Sequence, residues 1–326
     1  MQEFILSTPF EPKGIQKQQF QTLIEGYSIK TKEQDIFDVR GVTHPKDEII
    51  AYIKYAYDTS SKRYTKMRSI REGSDYLRKY GTTYLRGSSV QCVAYKKIDR
   101  IYDPKAKIKA LRESLKIDEL QKKVVRIVHY LEEYGLDVDR IGVSGSILCD
   151  LHSVQNSDID LSIYGKENGE KFFKIAPQLF KRNIFEKYDE LGLLNLYRRH
   201  NYATKMDYNL FVKINREKVN QGYFEGSEFF IKCIDEDLEL FYPTPERKRE
   251  PFDELKVRIT PNTSSIFTPG TYDVSNEYRK AHFFRARFSG IAKPMDVIIK
   301  GHFEKYKNSN RIIIGEILRE CIPTSR

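Results

Sequence analysis

The fold of this 326-residue chain is decided by Ile141-Gly-Val-Ser-Gly-Ser-Ile-Leu-Cys-Asp-Leu-His-Ser-Val-Gln-Asn-Ser-Asp-Ile-Asp-Leu-Ser-Ile-Tyr164. The stretch predicts a strand, a tight turn, a short helix and a second strand. Gly145 permits the tight turn, and the apolar spacing over residues 147–151 favours the short helix. The alternation over residues 158–164 is typical of a strand whose successive side chains point to opposite faces.

Asp158 and Asp160 are two residues apart, so the predicted strand places both carboxylates on one face. Neighbouring carboxylates repel each other unless a cation lies between them, and Mg²⁺ is a cation that takes oxygen ligands. The turn at Gly145 and Ser146 begins a helix, whose free N–H groups can bind a phosphate. The segment therefore predicts a metal-binding pair beside a phosphate cradle. Two solvated carboxylates on an exposed strand edge are the alternative.

Gly145-Ser146, then eleven residues, then Asp158-Ile-Asp160 resembles the signature of the DNA polymerase beta-type nucleotidyltransferase superfamily. The resemblance implies that Gly145, Ser146 and Ser157 bind a nucleoside triphosphate. It also implies that Asp158 and Asp160 bind two Mg²⁺ ions, with Mn²⁺ as a substitute. Many members of the superfamily carry a small residue near the position of Asp150. The aspartate in this chain departs from that pattern.

The same resemblance implies a third acidic residue on a later strand. Residues 204–213 read as a strand, and Asp207 lies inside it in an apolar context, so we expect Asp207 to complete the catalytic and metal-binding set. Asp189 and Glu190 are rival candidates, but they precede a predicted strand over residues 191–197 instead of lying inside one.

The composition indicates a globular protein with a polyanionic partner. The chain is 40% hydrophobic and 31% charged, with a net charge of +10. No apolar run approaches the ~20 residues of a membrane span, and the start lacks a signal peptide, so we expect a cytoplasmic protein without a membrane partner. The charge favours nucleic acid, although solvated basic faces explain it equally well.

Basic residues on several predicted elements are candidates for nucleic-acid contacts. Arg198, Arg199 and Lys205 lie upstream of Asp207. A strand predicted over residues 278–288 would place Arg279, Arg285 and Arg287 on one face. The Tyr-rich strands of the first hundred residues add Arg63, Lys66, Arg68 and Arg71.

We expect an α+β fold of three domains. A β-rich domain over residues 1–103 precedes a central nucleotidyltransferase domain of mixed sheet and helices over residues 104–245, and a small barrel similar to an OB-fold follows over residues 246–326. Asp103-Pro104 marks a helix start, and Pro243-Thr-Pro245 marks the second boundary. The run from Arg40 to Pro45 is similar to the N-terminal region of a family of predicted archaeal nucleotidyltransferases.

The expected activity is a Mg²⁺-dependent transfer of a nucleotidyl group from a nucleoside triphosphate, such as ATP, to an acceptor hydroxyl. The charge favours an acceptor on RNA. Transfer to a protein or small-molecule hydroxyl is one alternative. The other is a nucleic-acid-binding protein whose transferase core is inactive, against which the three retained acids argue.

Overall fold

The chain forms several β-sheets and helices in a computed structural model, which describes residues 22–81, 83–86, 90–200, 205–237, 248–306 and 309–321. The fold is mixed α+β with a closed five-stranded barrel near its C-terminal end, as the sequence predicts. The boundary signal at Pro243-Thr-Pro245 lies outside the described residues. Within the ranges given above, none of the helices is long and apolar enough to cross a membrane.

The first sheet is formed by residues near the N-terminus. Its strands are β1 (Ser28–Thr31), β2 (Ile36–Val39), β3 (Glu48–Asp58), β4 (Arg63–Lys66), β5 (Leu85–Arg86), β6 (Val90–Ala94) and β7 (Ile98–Tyr102). Their order is β5-β6-β3-β2-β1-β7, and β4 pairs with β3. Strand β4 ends at Lys66, and Ser69 then caps helix α1 (Ile70–Leu77) by accepting a hydrogen bond from the Glu72 N–H.

The second sheet contains residues 141–164, the stretch with the Gly-Ser turn and the acidic pair. Its strands are β8 (Ile141–Val143), β9 (Ile159–Tyr164), β10 (Gln221–Phe224) and β11 (Ser227–Ile234), in the order β10-β11-β9-β8. The helices around it are α2 (Pro104–Glu113), α3 (Glu119–Glu133), α4 (Gly145–Leu148), α5 (Lys166–Lys181), α6 (Glu190–His200) and α7 (Tyr208–Glu217). The predicted order of strand, turn, short helix and strand is confirmed.

Two stretches predicted as strands are helices, and both predictions were wrong. Residues 191–197 lie in α6, which buries Leu193 and Leu196. Residues 208–213 lie in α7, which buries Leu210, Phe211 and Ile214. Buried positions three and four residues apart are typical of one helix face, and this spacing was present in the sequence.

The two faces of β9 have different neighbours. Ile159, Leu161 and Ile163 pack into the core shared with α3 and α5. Tyr164, on the opposite face, packs with the core of the first sheet. Asp160 shares that second face because side chains alternate along a strand. The acidic pair is therefore directed away from the helices and toward the N-terminal sheet.

The barrel is formed by β12 (Lys248–Thr260), β13 (Gly270–Val274), β14 (Lys280–Phe283), β15 (Met295–Tyr306) and β16 (Ser309–Glu320). Of the strand expected over residues 278–288, only residues 280–283 form a strand, β14. A 3₁₀ turn, Ala286–Phe288, follows it. Arg279 adopts a positive φ of 57° before the strand. Arg279, Arg285 and Arg287 therefore do not share a strand face, which corrects the prediction.

Candidate active site

A cavity of about 270 Å³ lies where the two sheets, the α6–α7 helices and the barrel meet, and we call it the central cavity. Asp158 and Asp160 line it from β9 and the residue before it, and Lys54 and Lys66 line it from the first sheet. Its other walls come from α6, α7, the residue after α7, β10, β11 and the 3₁₀ turn of the barrel. The acidic pair therefore faces a space bounded by both sheets, by α6 and α7, and by the turn of the barrel.

The carboxyl of Asp160 lies in an unfavourable electrostatic position. Burial raises its pKa well above the usual range, and the negative charge of Asp158 raises it further. The positive charges of Lys54, Lys232 and Lys66 act in the opposite direction without cancelling the effect. A cation bound at the pair would relieve this repulsion, because it favours the charged form of both acids.

The turn at Gly145 lies directly against Asp160. Gly145 has a φ of +66°, and a Cβ at this position would collide with Asp160 Oδ2. The Ser144 N–H donates to the Asp160 carbonyl at 2.8 Å, which fixes the strand beside the turn. Ser146 is half-buried and follows in the same turn. Glycine is needed here for both reasons, its backbone conformation and its lack of a side chain.

Neither Ser157 nor Asp150 lines the central cavity. The Ser157 hydroxyl accepts the Ser153 N–H at 2.9 Å, and Ser157 returns its own N–H to the Ser153 carbonyl at 2.9 Å. Ser157 thus closes a loop and does not line the central cavity. Asp150 is exposed and forms an ion pair with Lys107 at 2.5 Å, so it lies on the solvated face of the turn.

Asp207 does not join the other two acids. It is the N-cap of α7, where its Oδ1 accepts the N–H groups of Asn209 at 2.9 Å and Leu210 at 3.1 Å. Its own N–H donates to the Leu318 carbonyl in the barrel at 2.6 Å. Asp207 is not among the cavity residues. The expected strand position was wrong, because the helix start uses the carboxylate as its cap.

Glu228 on β11 takes the place that was expected for Asp207. Strands β9 and β11 are parallel, with Phe230 opposite Asp160 and Phe229 opposite Ile159. Glu228 is two residues before Phe230, so it shares the face of the acidic pair, and it lines the same cavity. Its carboxylate forms an ion pair with Arg199. The alternating run of β11, which buries Phe229, Ile231 and Cys233, is the signal in the sequence that could have identified this acid.

Cations from both sheets and the buried acid Glu25 form a cluster beside Asp160. Lys54 is on β3, and burial lowers its pKa. Lys232 on β11 donates to Glu25 at 2.8 Å, and Arg40 donates to the same carboxylate oxygen at 2.9 Å. Glu25 is fully buried. These contacts fix the orientation of Lys232 and connect the first sheet to the strand next to the acidic pair.

Five of the residues nominated for nucleic acid have different environments, namely Arg198, Arg199, Lys205, Arg285 and Arg287. Arg198 and Lys205 are exposed on the surface. Arg199 is paired with Glu228, and Arg285 is paired with Glu316 at 2.6 Å. Arg287 lines the central cavity, where burial lowers its pKa to about 10. The structure therefore brings two of the five, Arg199 and Arg287, to the cavity that contains the acidic pair.

The acidic pair fits a hard divalent cation that completes its coordination from elsewhere. Among the described residues, no group of three or more His, Cys, Asp or Glu side chains forms a ready metal site. Asp158 and Asp160 supply carboxylate oxygens, and the raised pKa of Asp160 marks a position where positive charge is missing. Mg²⁺ characteristically takes one or two carboxylates and fills its remaining positions with water and substrate phosphates.

A comparison with curated proteins finds a relative in Methanocaldococcus jannaschii, the uncharacterized protein MJ1086. The two chains are 24% identical over 342 aligned residues, which cover 91% of this chain and 98% of the relative. No protein-family model matches the chain, and no solved structure matches it. The chain is thus similar to an archaeal protein over most of its length.

Replacing Gly145 by Ala tests the contact between the turn and Asp160. Gly226→Ala is the matched control, because Gly226 also has a positive φ, +74°, but a Cβ there meets nothing within 4 Å. Backbone strain alone should lower the free energy of unfolding by about 1 kcal/mol in the control. Gly145→Ala should cost more, since the new methyl group also displaces the Asp160 carboxylate. Urea denaturation measures both, and equal losses would contradict the contact.

Replacing Glu25 by Gln tests the buried ion cluster. Burial alone would raise the pKa of Glu25, but the charges of Lys232 and Arg40 outweigh burial and hold it below the ordinary value of 4.5. Because the folded-state pKa is the lower one, the ion pairs stabilise the fold above about pH 4.5, and this stabilisation is lost as the pH falls through the folded-state pKa.

We therefore expect Glu25→Gln to lower the free energy of unfolding by about 3 kcal/mol at neutral pH, since it removes the buried acid that pairs with two partly buried cations, of which Arg40 also pairs with Asp38. The difference from wild type should shrink as the pH is lowered below about 4.5, as followed by urea denaturation at a series of pH values. Glu132→Gln removes an exposed pair with Arg112 and should cost less than about 1 kcal/mol. A loss for Glu25→Gln that stays constant down to strongly acidic pH would contradict the assignment.

Proposed function

We propose that this protein is a Mg²⁺-dependent nucleotidyltransferase. It would take a nucleoside triphosphate, transfer the nucleotidyl group to an acceptor hydroxyl and release pyrophosphate. One observation carries the proposal: Asp160 lies directly against the Gly145 turn and beside Asp158, and both acids face a cavity lined by cations. This arrangement supports the resemblance that the sequence motif suggests, independently of the spacing of the motif.

Asp158 and Asp160 would hold the Mg²⁺, which neutralises charge on the phosphates and orients them for displacement. Lys54 and Lys66 line the same cavity and would bind oxygens of the triphosphate. Their charges act on Asp160, so the triphosphate would lie on the Asp160 side, next to Gly145. In the reaction, the acceptor oxygen forms a bond to the α-phosphorus. The bond from that phosphorus to the bridging oxygen breaks, and pyrophosphate leaves with the electron pair.

Glu228 is our candidate for the third acid. It lies on the strand next to Asp158, lines the cavity and is held by Arg199. A carboxylate in this position can accept the proton that the acceptor hydroxyl loses during the attack. Arg199 would then keep the side chain oriented toward the cavity. Asp207 is replaced in this role, because both of its described side-chain hydrogen bonds serve the start of α7.

An acceptor on RNA was favoured by the net charge of +10. The cations nominated beside Asp207 and in the barrel give that choice no additional support. Arg199 and Arg285 are engaged with carboxylates, and Arg287 is half-buried inside the central cavity. Arg198 and Lys205 are exposed, as are Arg63, Arg68 and Arg71 in the N-terminal part, and none of these five lines the cavity. The lining of the cavity is therefore the better guide to the acceptor class.

Two aspartate-to-asparagine variants test the assignment of the acids. Asp160→Asn should lower the transfer of label from an α-labelled triphosphate by at least about a hundredfold, because the site loses a negative charge that holds the cation. Asp207→Asn is the matched control, and it should keep nearly full activity, since Asn caps a helix as well as Asp. Omission of Mg²⁺ should abolish transfer by the wild-type protein. Transfer that survives Asp160→Asn unchanged would refute the metal role. A large loss in Asp207→Asn, with its stability unchanged, would restore Asp207 to the site.

A further inference from the structure

We propose that the acceptor is a small anionic molecule whose acidic group binds Lys218, on the wall of the central cavity formed by the end of α7 and the barrel. This inference rests on the proposed function, because it assigns the second substrate of the same site. It names a class of ligand, an alcohol that carries a carboxylate or a phosphate. An RNA acceptor is the outcome that would oppose it.

Lys218 has an unusual position for a lysine. The residue is 1% exposed and lines the central cavity. Its Nζ donates to the Arg287 carbonyl at 2.5 Å. An ammonium group has three donors, and a single carbonyl satisfies only one of them. No carboxylate within the described ranges forms an ion pair with this residue. A buried cation without an acid partner is costly unless a ligand supplies the opposite charge.

The charged groups around Lys218 add to this cost. Burial and, to a smaller extent, the positive charge of Arg287 lower the pKa of Lys218 to about 7. His200 lines the same wall, and burial together with Arg287 and Lys218 lowers its pKa to about 3, so it stays neutral near physiological pH. Lys187 donates to the Lys218 carbonyl. The surroundings of the amine are therefore neutral or positive, and an anion entering this wall would be stabilised by them.

The direction of the displacement assigns this wall to the acceptor. The triphosphate side is marked by Gly145, which lies against Asp160, and by Lys54, whose charge acts on Asp160. In an in-line displacement the attacking oxygen enters opposite the leaving pyrophosphate. The largest positive charges acting on Asp160 are those of Lys54, Lys232 and Lys66. Lys218 and Arg287 line the cavity at the end of α7 and at the barrel turn, where the acceptor would lie.

The lining of the cavity beside Lys218 indicates a compact ligand. Phe211 and Ile214 of α7 line the same space, together with Phe288 of the barrel. Gln221 lines it as well, and its amide donates to Asn215 at 2.8 Å, which fixes two polar groups within the wall. Apolar walls with a few fixed polar groups and one buried cation suit a compact anionic alcohol.

Lys218 would position the acceptor without covalent change. Its ammonium group would bind the acidic group while the acceptor hydroxyl reaches the α-phosphorus. The oxygen–phosphorus bond forms, pyrophosphate departs with the electrons of the broken bond, and the hydroxyl proton passes to the Glu228 carboxylate. The products would be a nucleotidyl ester of the anionic alcohol and pyrophosphate.

The test measures binding of inorganic orthophosphate, as a probe for the acidic group, to the full-length protein saturated with Mg²⁺ and an α,β-methylene triphosphate analogue. Isothermal titration calorimetry should show orthophosphate binding with the analogue already bound. Lys218→Met should weaken orthophosphate binding at least about tenfold, which corresponds to the loss of one charged hydrogen bond. Affinity for the analogue should change less than about twofold. Lys54→Met should show the reverse pattern, with weaker analogue binding and unchanged orthophosphate binding.

Two further arms keep the proposal falsifiable. Lys218→Gln retains a hydrogen-bond donor without the charge, and its unfolding temperature shows whether it folds. If the folded variant loses as much orthophosphate affinity as Lys218→Met, a packing defect is excluded as the cause. Orthophosphate that binds Lys218→Met as well as wild type, or that is displaced by the analogue, would overturn the site. A protein that binds orthophosphate through Lys218 but never binds the analogue would overturn the proposed function and leave the anion site standing.

The acceptor class is then tested with an α-labelled triphosphate and Mg²⁺. The dialysable anionic fraction of a cell extract and the RNA of the same extract are supplied separately. We expect label in a dialysable product that forms with wild-type protein and falls at least about tenfold with Lys218→Met. Label that enters RNA at the same rate with wild type and with Lys218→Met would overturn the proposal.

Discussion

Repulsion between two carboxylates is the constraint on which the rest of the site depends. Asp160 lies on β9 and the exposed Asp158 directly precedes the strand, and the burial of Asp160 strengthens the effect of the Asp158 charge because it removes the screening of water. The fold keeps them together by placing Lys54, Lys66 and Lys232 nearby. A hydrophobic strand in this place would be easier to bury. A pair of acids held against their own repulsion is a feature that a bound cation would use.

The supporting contacts around this pair come from distant parts of the chain. Glu25 holds Lys232 and Arg40, and so ties the first sheet to the strand beside the acids. Asp207 ties α7 to the barrel through the Leu318 carbonyl, which places Lys218 and the residues of α7 along the cavity. The cavity depends on these connections, because its walls come from two separate sheets, two helices and the barrel.

The local features of the fold were predictable from the sequence where one residue type decides the conformation. Gly145 predicts a tight turn, Asp103 before Pro104 predicts a helix start, and the alternation after Asp158 predicts a strand. The structure contains each of them. The fold class and the terminal barrel follow from the same kind of signal, since short apolar runs separated by Gly, Pro and Asn favour closed β structures.

The remaining features depend on contacts between residues far apart in the sequence. Asp207 reads equally well as a strand acid or as a helix cap, and the burial of Leu210 and Ile214 against other elements decides for the helix. Glu228 becomes a neighbour of Asp158 only through the parallel register of two strands separated by α5, α6 and α7. The burial of Lys218 depends on the docking of the barrel turn at Arg287, which no local pattern encodes.

Binding of a divalent cation by Asp158 and Asp160 can be tested with crystals of the protein grown with Mn²⁺ and an α,β-methylene triphosphate analogue, because the ion can be located by its anomalous scattering. We expect anomalous density between the carboxylates of Asp158 and Asp160, in contact with phosphate oxygens that lie beside the Gly145 turn. Density for the ion at another set of ligands, or a nucleotide bound away from this turn, would contradict it.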